Sequence, residues 1–512
     1  MIIDILHKLA GFLPEIKNPA QSLGTKDRLM WTGLALVLYF MMYETTVLGV
    51  PHVGGGIDFL QTITASRIGS LLTTGIGPIV LASIFLQLFV GAGLLNLDMK
   101  KKEDKAKFLE TQKILAILLA LAEAVIFVIV TKIVPVTALF PGLGEGTIID
   151  PVTGAQTVYA PYTMALVVLQ ITIGSILVLF LDELVTKYGL GSGISLFIAA
   201  GVSLSIIVGL VQLTLGANGF VEIMSEGGAE ALPNGLLQLL PFGFTIAVFL
   251  VCVYAESVKV EIPIAFERVR GMAPKLPLKF FYVSNIPVIF ASALILNLQL
   301  FSSGLLASQY WVKETGATTP AFAALSETRQ FDFARDGVLP VIGYTDSTGR
   351  LHDGILYFFT PVSGIGRSTV EHYNGLVNTV TPIFGIPEWV HAVVYVIMLA
   401  AVSVMFGLFW VETSNMDAKS VANQLSDSGI QIPGFRRDPR MLETILNKHI
   451  YPLTVMGSVS VGLLAGIADL TGALGTGTGI LLTVGILHRM YEQMEQMKAF
   501  DAYPGLNRLL GE

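Results

Sequence analysis

The sequence predicts an all-α integral membrane protein of about ten transmembrane helices, with a re-entrant segment and one long loop on the outer face. Three observations point there. Hydrophobic residues fill 53% of the 512 positions and charged residues only 13%, against about 25% charge in an average soluble domain. Apolar runs near the roughly 20 residues that a helix needs to cross hydrocarbon recur along the whole chain. Lysine and arginine fall unevenly on the two sides that those runs define. The net charge of −7 is spread thinly and argues for no particular partner. Cys252 is the only cysteine, so no intrachain disulfide forms, and the seven histidines show no metal-ligand spacing.

The start, MIIDILHKLAGFLPEI, does not read as a signal peptide, because Asp4 and Lys8 interrupt it and no small-residue cleavage site follows. Ile2, Ile3, Leu6, Leu9, Ala10 and Leu13 recur at helical spacing. Residues 1–28 are therefore an amphipathic N-terminus that either lies in the membrane interface or packs on the membrane domain. Spans are expected at about 29–50, 75–97, 113–136, 160–181, 193–215, 236–257, 280–303, 388–411, 449–468 and 474–490. The last two are joined by a tight turn around 469–472.

Before the second span, three glycines (54–56) make a flexible hinge. Then come Ile57, Asp58, Phe59, Leu60, Gln61, Thr62, Ile63, Thr64, Ala65, Ser66 and Arg67. As a helix this stretch is about 16 Å long, too short to span, and it is too apolar for an exposed loop. A re-entrant segment lining a protein cavity and an interfacial helix on the outer face both fit. After the fourth span, residues 182–192 carry Asp182, Glu183, Lys187 and Tyr188 and then glycines, which reads as a loop outside the lipid. Ser192 or Gly193 caps the next helix in that reading. The GxGxG string is not a dinucleotide loop, since no strand precedes it and its flanks are spans.

Residues 221–235 hold Glu222, Glu226 and Glu230 and no basic residue, as an external loop should. This loop divides a first half, 29–220, from a second, 236–490, and a repeat of five spans must be inverted in the membrane. Region 304–387 reads as a small external subdomain, with a hairpin in PVIGYTDSTGRLHDGILYFF. Residues 491–512 form a tail. Gln87 and Asn297 lie within the second and seventh spans, where amides usually bond across helices. Glu123 is a single acid inside the third span with no visible basic partner, which favours a structural hydrogen bond over a proton route. Two loops are basic: one has Arg268, Arg270 and Lys275, the other Phe435, Arg436, Arg437 and Arg440. Asp438 and Pro439 mark a helix start beside the second. Arginine suits phosphate contacts.

Ile76 and Val80 are four apart, as are Ile194 and Ile198, so each pair shares a helix face. Taken alone, these are ordinary packing residues. Six segments change that: DELVTKYGLGSGISLFIAAGV, QTITASRIGSLLTTGIGPIV, YVSNIPVI, MFGLFWVET, GFRR and GTGTGILLTV. They resemble signature segments of the SecY family, the pore subunit of the Sec protein-conducting channel, in the same order over nearly the whole chain. The look is closest to archaeal members. The resemblance implies two pseudosymmetric halves that hinge at the 221–235 loop, with residues 57–67 as a plug closing the pore. It implies a pore ring of Ile76, Val80, Ile194, Ile198, Ile289 and Leu482, all aliphatic here, which would dewet when empty and fit around an extended chain. It implies a lateral gate for signal sequences with Gln87 and Asn297 at polar positions, although Leu81 stands where relatives can be polar. It implies ribosome docking, on rRNA, through Arg268, Arg270, Phe435, Arg436 and Arg437. It also implies two small membrane partners, a SecE/gamma-type clamp helix and a beta-type single span. No cofactor is expected.

One tension stands. Ile76 begins a span on the outer side and Ile194 begins one on the basic side, so they meet only if both helices start inside the membrane. The rival functions are an inverted-repeat secondary transporter, which needs a polar midplane site, and an intramembrane enzyme. There is no P-loop, nucleophile elbow or catalytic set to support an enzyme.

Counted with span-edge residues, 24 of the 31 lysines and arginines lie on the side of the N-terminus and of segments 98–112, 182–192, 258–279, 412–448 and 491–512. That side is expected to face the cytoplasm of a cell-membrane protein, and an even number of spans puts both termini there. After removal of Cys252, Ser225→Cys and Ser347→Cys should react with an impermeant thiol reagent in intact cells. Ser426→Cys should react only after permeabilisation, and its labelling in sealed cells would reverse the orientation.

Overall fold

The computed structural model describes residues 14–19, 23–48, 50, 65–91, 94–95, 97, 101–130, 146–149, 156–159, 161–216, 219–227, 231–263, 265–266, 275–295, 297–298, 342–345, 351–362, 375–381, 385–427, 430–431 and 439–502. Each expected span contains a helix. In chain order these are α1 (Thr25–Glu44), α2 (Gly77–Gly91), α3 (Lys102–Val130), α4 (Pro161–Tyr188) and α5 (Gly193–Leu215). Short α6 (Phe220–Glu226) and α7 (Ala231–Gln238) follow, then α8 (Leu240–Ser257) and α9 (Ile286–Ile295). The chain continues with α10 (Glu388–Thr413), α11 (Ala418–Asp427), α12 (Pro439–Leu470) and α13 (Gly477–Ala502). Among the described residues, six stretches are long and apolar enough to cross a membrane: Glu103–Val128, Met164–Tyr188, Gly193–Ser225, Ala231–Ser257, Glu388–Ser426 and Leu442–Leu470. The architecture is that of an all-α, multi-span membrane protein.

Several boundaries differ from expectation, each for a physical reason. The fourth span does not end at 181; α4 runs to Tyr188. Its last turns are charged but not solvated: buried Glu183 accepts from Lys113 of α3 at 3.0 Å and from Lys187 at 2.8 Å. Lys187 also pairs with Glu15 at 2.9 Å, which fastens the 14–19 segment to the helix and holds the Glu15 carboxyl below the usual range. The 221–235 loop is largely helical, as α6 and α7. Residues 25–28 belong to α1, and 491–502 prolong α13. α12 begins at Pro439, where the sequence placed a helix start, and carries Pro452 inside it. The second span is short, with 15 residues in α2, and α9 begins only at Ile286, with Asn297 and Leu298 still helical. The seventh run looks longer at its start because the buried chain before α9, with Phe281 and Val283, is also apolar.

Strands appear where turns and loops had been read. β1 (Gly146–Ile149) pairs with β2 (Gln156–Tyr159), antiparallel. β3 (Lys259–Pro263) pairs with β5 (Lys275–Lys279), and β4 (Ala265–Phe266) crosses to β8 (Ile430–Gln431). In the region 304–387 β6 (Tyr344–Thr345) pairs with β7 (Leu351–Asp353), the hairpin expected from the sequence. A 3₁₀ turn, Ile355–Phe359, follows. Tyr357 donates to Glu388 at 2.7 Å, and His391 bonds both Glu388 and the Thr360 carbonyl, so this region is tied to the start of α10.

Close helix contacts rest on small residues, as is usual where lipid supplies no hydrophobic drive. A Cβ on Gly462 of α12 would lie 2.6 Å from the Ala400 Cα of α10, and one on Gly407 of α10 would lie 2.1 Å from the Ser458 Oγ of α12. One apolar core draws on α1, α2, α3, α4, α5, α8, α9, α10, α12 and α13. A smaller one lies among α10, α11, α12 and the chain after β5.

Candidate functional site

Two helices begin inside the molecule, and the site is built around their first turns. Residues 65–76 form an irregular, buried segment in which Ala65, Ser66, Ser70, Leu72, Thr73 and Thr74 have almost no exposure. Leu71 crosses α4 at Gly174, near the middle of that helix; a Cβ on Gly174 would stand 1.9 Å from the Leu71 carbonyl oxygen. Thr74 and Ser175 share a hydrogen bond beside it. α2 therefore starts deep, with Ile76 accepting from Ile79 and Val80 at 3.1 Å each. From the other side, α5 starts against Asp182, six residues before the end of α4 and so about 9 Å inside it. Ser192 occupies the cap position of α5, as expected, but its side chain makes no cap bond. Asp182 does that work: its Oδ1 accepts from the Ile194 amide at 2.8 Å. Both α2 and α5 thus start short of the ends of α4, at Ser175 and Asp182 respectively.

The same device recurs at α13. Asp469, near the end of α12, accepts from the Thr478 amide at 3.0 Å, from its hydroxyl at 2.7 Å and from Tyr395 at 3.0 Å. Ile198 lies five residues after Gly193, the first residue of α5, and Leu482 lies five after Gly477, the first of α13. α9 is set on α13 by Asn285, whose Nδ2 donates to the Leu481 carbonyl at 2.9 Å, and the Asn285 carbonyl accepts from the Ile289 amide at 3.1 Å. Gly485 leaves room there: a Cβ would fall 1.9 Å from the Asn285 Nδ2.

Ile76, Val80, Ile198, Ile289 and Leu482 all belong to the main buried core, and Ile194 packs against it. Of the plug candidates, Ala65, Ser66 and Arg67 are described, the first two buried; 57–64 lie outside the described residues. Gln87 and Asn297 are both buried, yet each spends its amide on its own helix. Gln87 Nε2 donates to Ser83 at 3.0 Å, and Asn297 Nδ2 donates to the Ala293 carbonyl at 2.8 Å. The cross-helix bonding expected of them is absent among the described residues, and Leu81 is buried as well. Glu123 is buried, with its Oε1 lacking a hydrogen-bond partner among the described residues.

Arg268, Arg270, Phe435, Arg436 and Arg437 lie outside the described residues, but the stems of their loops do not. Phe266 pairs with Ile430 and Ala265 with Gln431, so both basic loops leave from one small ladder. Lys279 at the base of the β3–β5 hairpin bonds Glu492 of α13 at 2.6 Å. Burial works against the Glu492 charge, but Lys279 outweighs it and lowers the carboxyl pKa.

Sequence reasoning missed Asp182 and Asp469 as helix caps, because it took one for a loop charge and the other for a turn residue. Their signal was present: an acid near the end of one apolar run, followed within about a dozen residues by a Gly opening the next.

The SecY family profile matches residues 70–491. The chain belongs to the SecY family. Protein translocase subunit SecY of Methanocaldococcus jannaschii is 40% identical, over 100% of this chain and 99% of that one. A solved protein-conducting channel is 39% identical with a TM-score of 0.73, covering 98% of this chain and 99% of that one. A SecY structure whose plug domain is described as stabilizing the closed state and maintaining a membrane seal is 38% identical, TM-score 0.72, with the same coverage. Sec61 in the canine ribosome-channel complex from the endoplasmic reticulum is 39% identical, TM-score 0.71, again with 98% and 99% covered.

Removing either cap should destabilise the fold, to different degrees. Asp182→Ala should cost about 1–2 kcal/mol, as for a lost N-cap. Asp469→Ala also strands the Thr478 and Tyr395 hydroxyls and should cost more, about 2–4 kcal/mol. Thermal unfolding in detergent should rank wild type above Asp182→Ala above Asp469→Ala; equal midpoints for all three would remove both caps from the account.

Proposed function

We propose that this chain is the channel-forming subunit of a protein translocase, passing secretory polypeptides across a membrane and releasing transmembrane segments sideways into lipid. The observation that carries the reading is the pair of helices that begin inside the molecule, α2 and α5, with aliphatic residues in their first turns. In this proposal Ile76, Val80, Ile194, Ile198, Ile289 and Leu482 close a constriction by apolar contact. Such a ring offers a translocating chain no fixed hydrogen bonds, so it tolerates varied side chains, and it excludes water when empty. Those same aliphatic residues give a small polar solute nothing to bind, which disfavours a transporter. Residues 57–67 act as the plug, and Gln87 and Asn297 lie on the lateral gate. The halves 29–220 and 236–490 are pseudosymmetric about the 221–235 connection; the matching caps on α5 and α13 support that.

The basic end faces the cytoplasm of the cell membrane, with both termini there. Arg268, Arg270, Phe435, Arg436 and Arg437 contact ribosomal RNA in this proposal, and the departure of their two loops from the one β4–β8 ladder supports a joint role. SecE/gamma-type and beta-type subunits complete the complex, and nascent signal sequences are its clients.

Proteoliposomes holding the purified complex test the constriction. Ile194→Gly with Ile198→Gly should raise ion conductance well above the wild-type level. Ile207→Gly with Val211→Gly, on the exposed face of the same helix, should stay tight, though each glycine costs about the same 1 kcal/mol of helix propensity. A folded ring variant that conducts no more than wild type would leave the six residues as packing alone.

Ribosome binding tests the basic loops separately. Arg436→Glu with Arg437→Glu should weaken it severalfold, and wild-type affinity should fall steeply with salt, because phosphate contacts release counterions. Unchanged affinity in the double variant at low and high salt would restrict these arginines to setting topology.

A further inference from the structure

The buried end of the plug segment is held in a conformation that its own residues do not favour. Ala65 is fully buried and has a φ of 49°, in the left-handed region that non-glycine residues rarely adopt. Something outside the segment must impose that backbone, and three contacts do so. The Tyr39 hydroxyl of α1 donates to the Ala65 carbonyl at 2.6 Å, in a site with no exposure on either residue. The Tyr39 ring is stacked on Phe197 of α5, with centroids 4.8 Å apart and planes within 13°. Gly201, one helical turn beyond Phe197, faces Ala65: a Cβ there would come within 3.3 Å of the Ala65 Cα and Cβ and 3.6 Å of the Tyr39 hydroxyl. Two residues on, Arg67 pairs with Glu44 and lies 5.7 Å over the Tyr43 ring, both on α1. One side of α1 and one side of α5 thus grip the same short piece of chain.

We propose that Tyr39 and Gly201 are positioning residues that fasten the base of the plug, and that the Tyr39–Ala65 bond must break for the channel to open. The proposal rests on reading 57–67 as the plug. Its logic is a two-state one. The hydroxyl bond exists only while the base is seated, so it stabilises the closed state and contributes nothing to the open one. A strained residue stays seated only while its surroundings over-determine it, so losing one contact shifts the balance. Phe197 precedes Ile198, so the residue that seats the plug base is stacked directly on the helix turn carrying a proposed ring residue. A movement of α1 against α5 would release the base and disturb the ring together.

Tyr39→Phe tests this, because it keeps the ring, its stack on Phe197 and its volume, and removes only the donor. In proteoliposomes with the full translocase complex and no nascent chain, it should raise resting ion conductance about five- to tenfold, the population shift expected from one buried hydrogen bond. Gly201→Ala, which crowds Ala65 and spares Tyr39, should move conductance in the same direction. In a channel lacking 57–64, Tyr39→Phe should add nothing further. Were it to add as much there as in the full-length channel, Tyr39 would be a packing residue and the proposal would fail. If Tyr39→Phe and Gly201→Ala stay tight while deletion of 57–64 conducts, the fastening is wrong and the plug reading survives. If all three stay tight, both readings fall.

Discussion

A helix that starts inside a membrane protein leaves backbone N–H groups facing neither lipid nor bulk water. Meeting that need is the constraint on which this fold depends. α5 and α13 solve it alike, with an aspartate brought from the preceding helix, Asp182 for one and Asp469 for the other. Each carboxylate also fixes the height at which its helix begins, and hence the depth of the aliphatic residues that follow. α2 solves it differently. The chain before it, 65–76, folds into turns whose groups bond one another and the neighbouring α1–α2 connection, as when Leu71 donates to Thr45 at 3.0 Å. The price is a thick layer of buried, irregular backbone, tolerated because α4 offers Gly174 where that backbone passes.

These devices make the interior a single connected assembly. α1 touches the 65–67 segment through Tyr39, Tyr43 and Glu44, and touches α5 through Phe197. α5 packs on α13, and α13 receives Asn285 just before α9. No long-range field is needed to relate these parts, since each link is a direct contact. The start of α10 has its own fastening, in which His391, Glu388 and Tyr357 join the 3₁₀ turn to that helix.

Much of this was legible in the sequence, and the rest was hidden for identifiable reasons. Hydropathy located every span because apolar length is a one-dimensional property. It does not distinguish a helix from the coil beside it, so it reads α2 too long and starts α9 too early. Asp182, Glu183 and Lys187 read as loop charges, yet all three lie on the last turns of α4. In the fold they are satisfied by one another, by Lys113 and by the α5 amides. Gln87 and Asn297 were expected to bond across helices; Ser83 and the Ala293 carbonyl lie one turn away on their own helices and take the amides instead. The ring positions came from family resemblance alone, because nothing distinguishes Ile198 from any other buried isoleucine until the start of its helix is known. Tyr39 had no sequence signal at all, since its partner is a backbone carbonyl 26 residues away.

The small ladder between β4 and β8 has a consequence for how this protein can change over generations. Its two rungs join chain segments about 165 residues apart, one from each basic loop. A strand that slips by one residue turns every side chain to the opposite face. An insertion between 266 and 275, or between 431 and 439, stays local only if the rungs hold; one within the rungs re-aims both loops together. Lineages should therefore change the rungs scarcely at all, with compensating changes appearing in pairs across that gap in the chain.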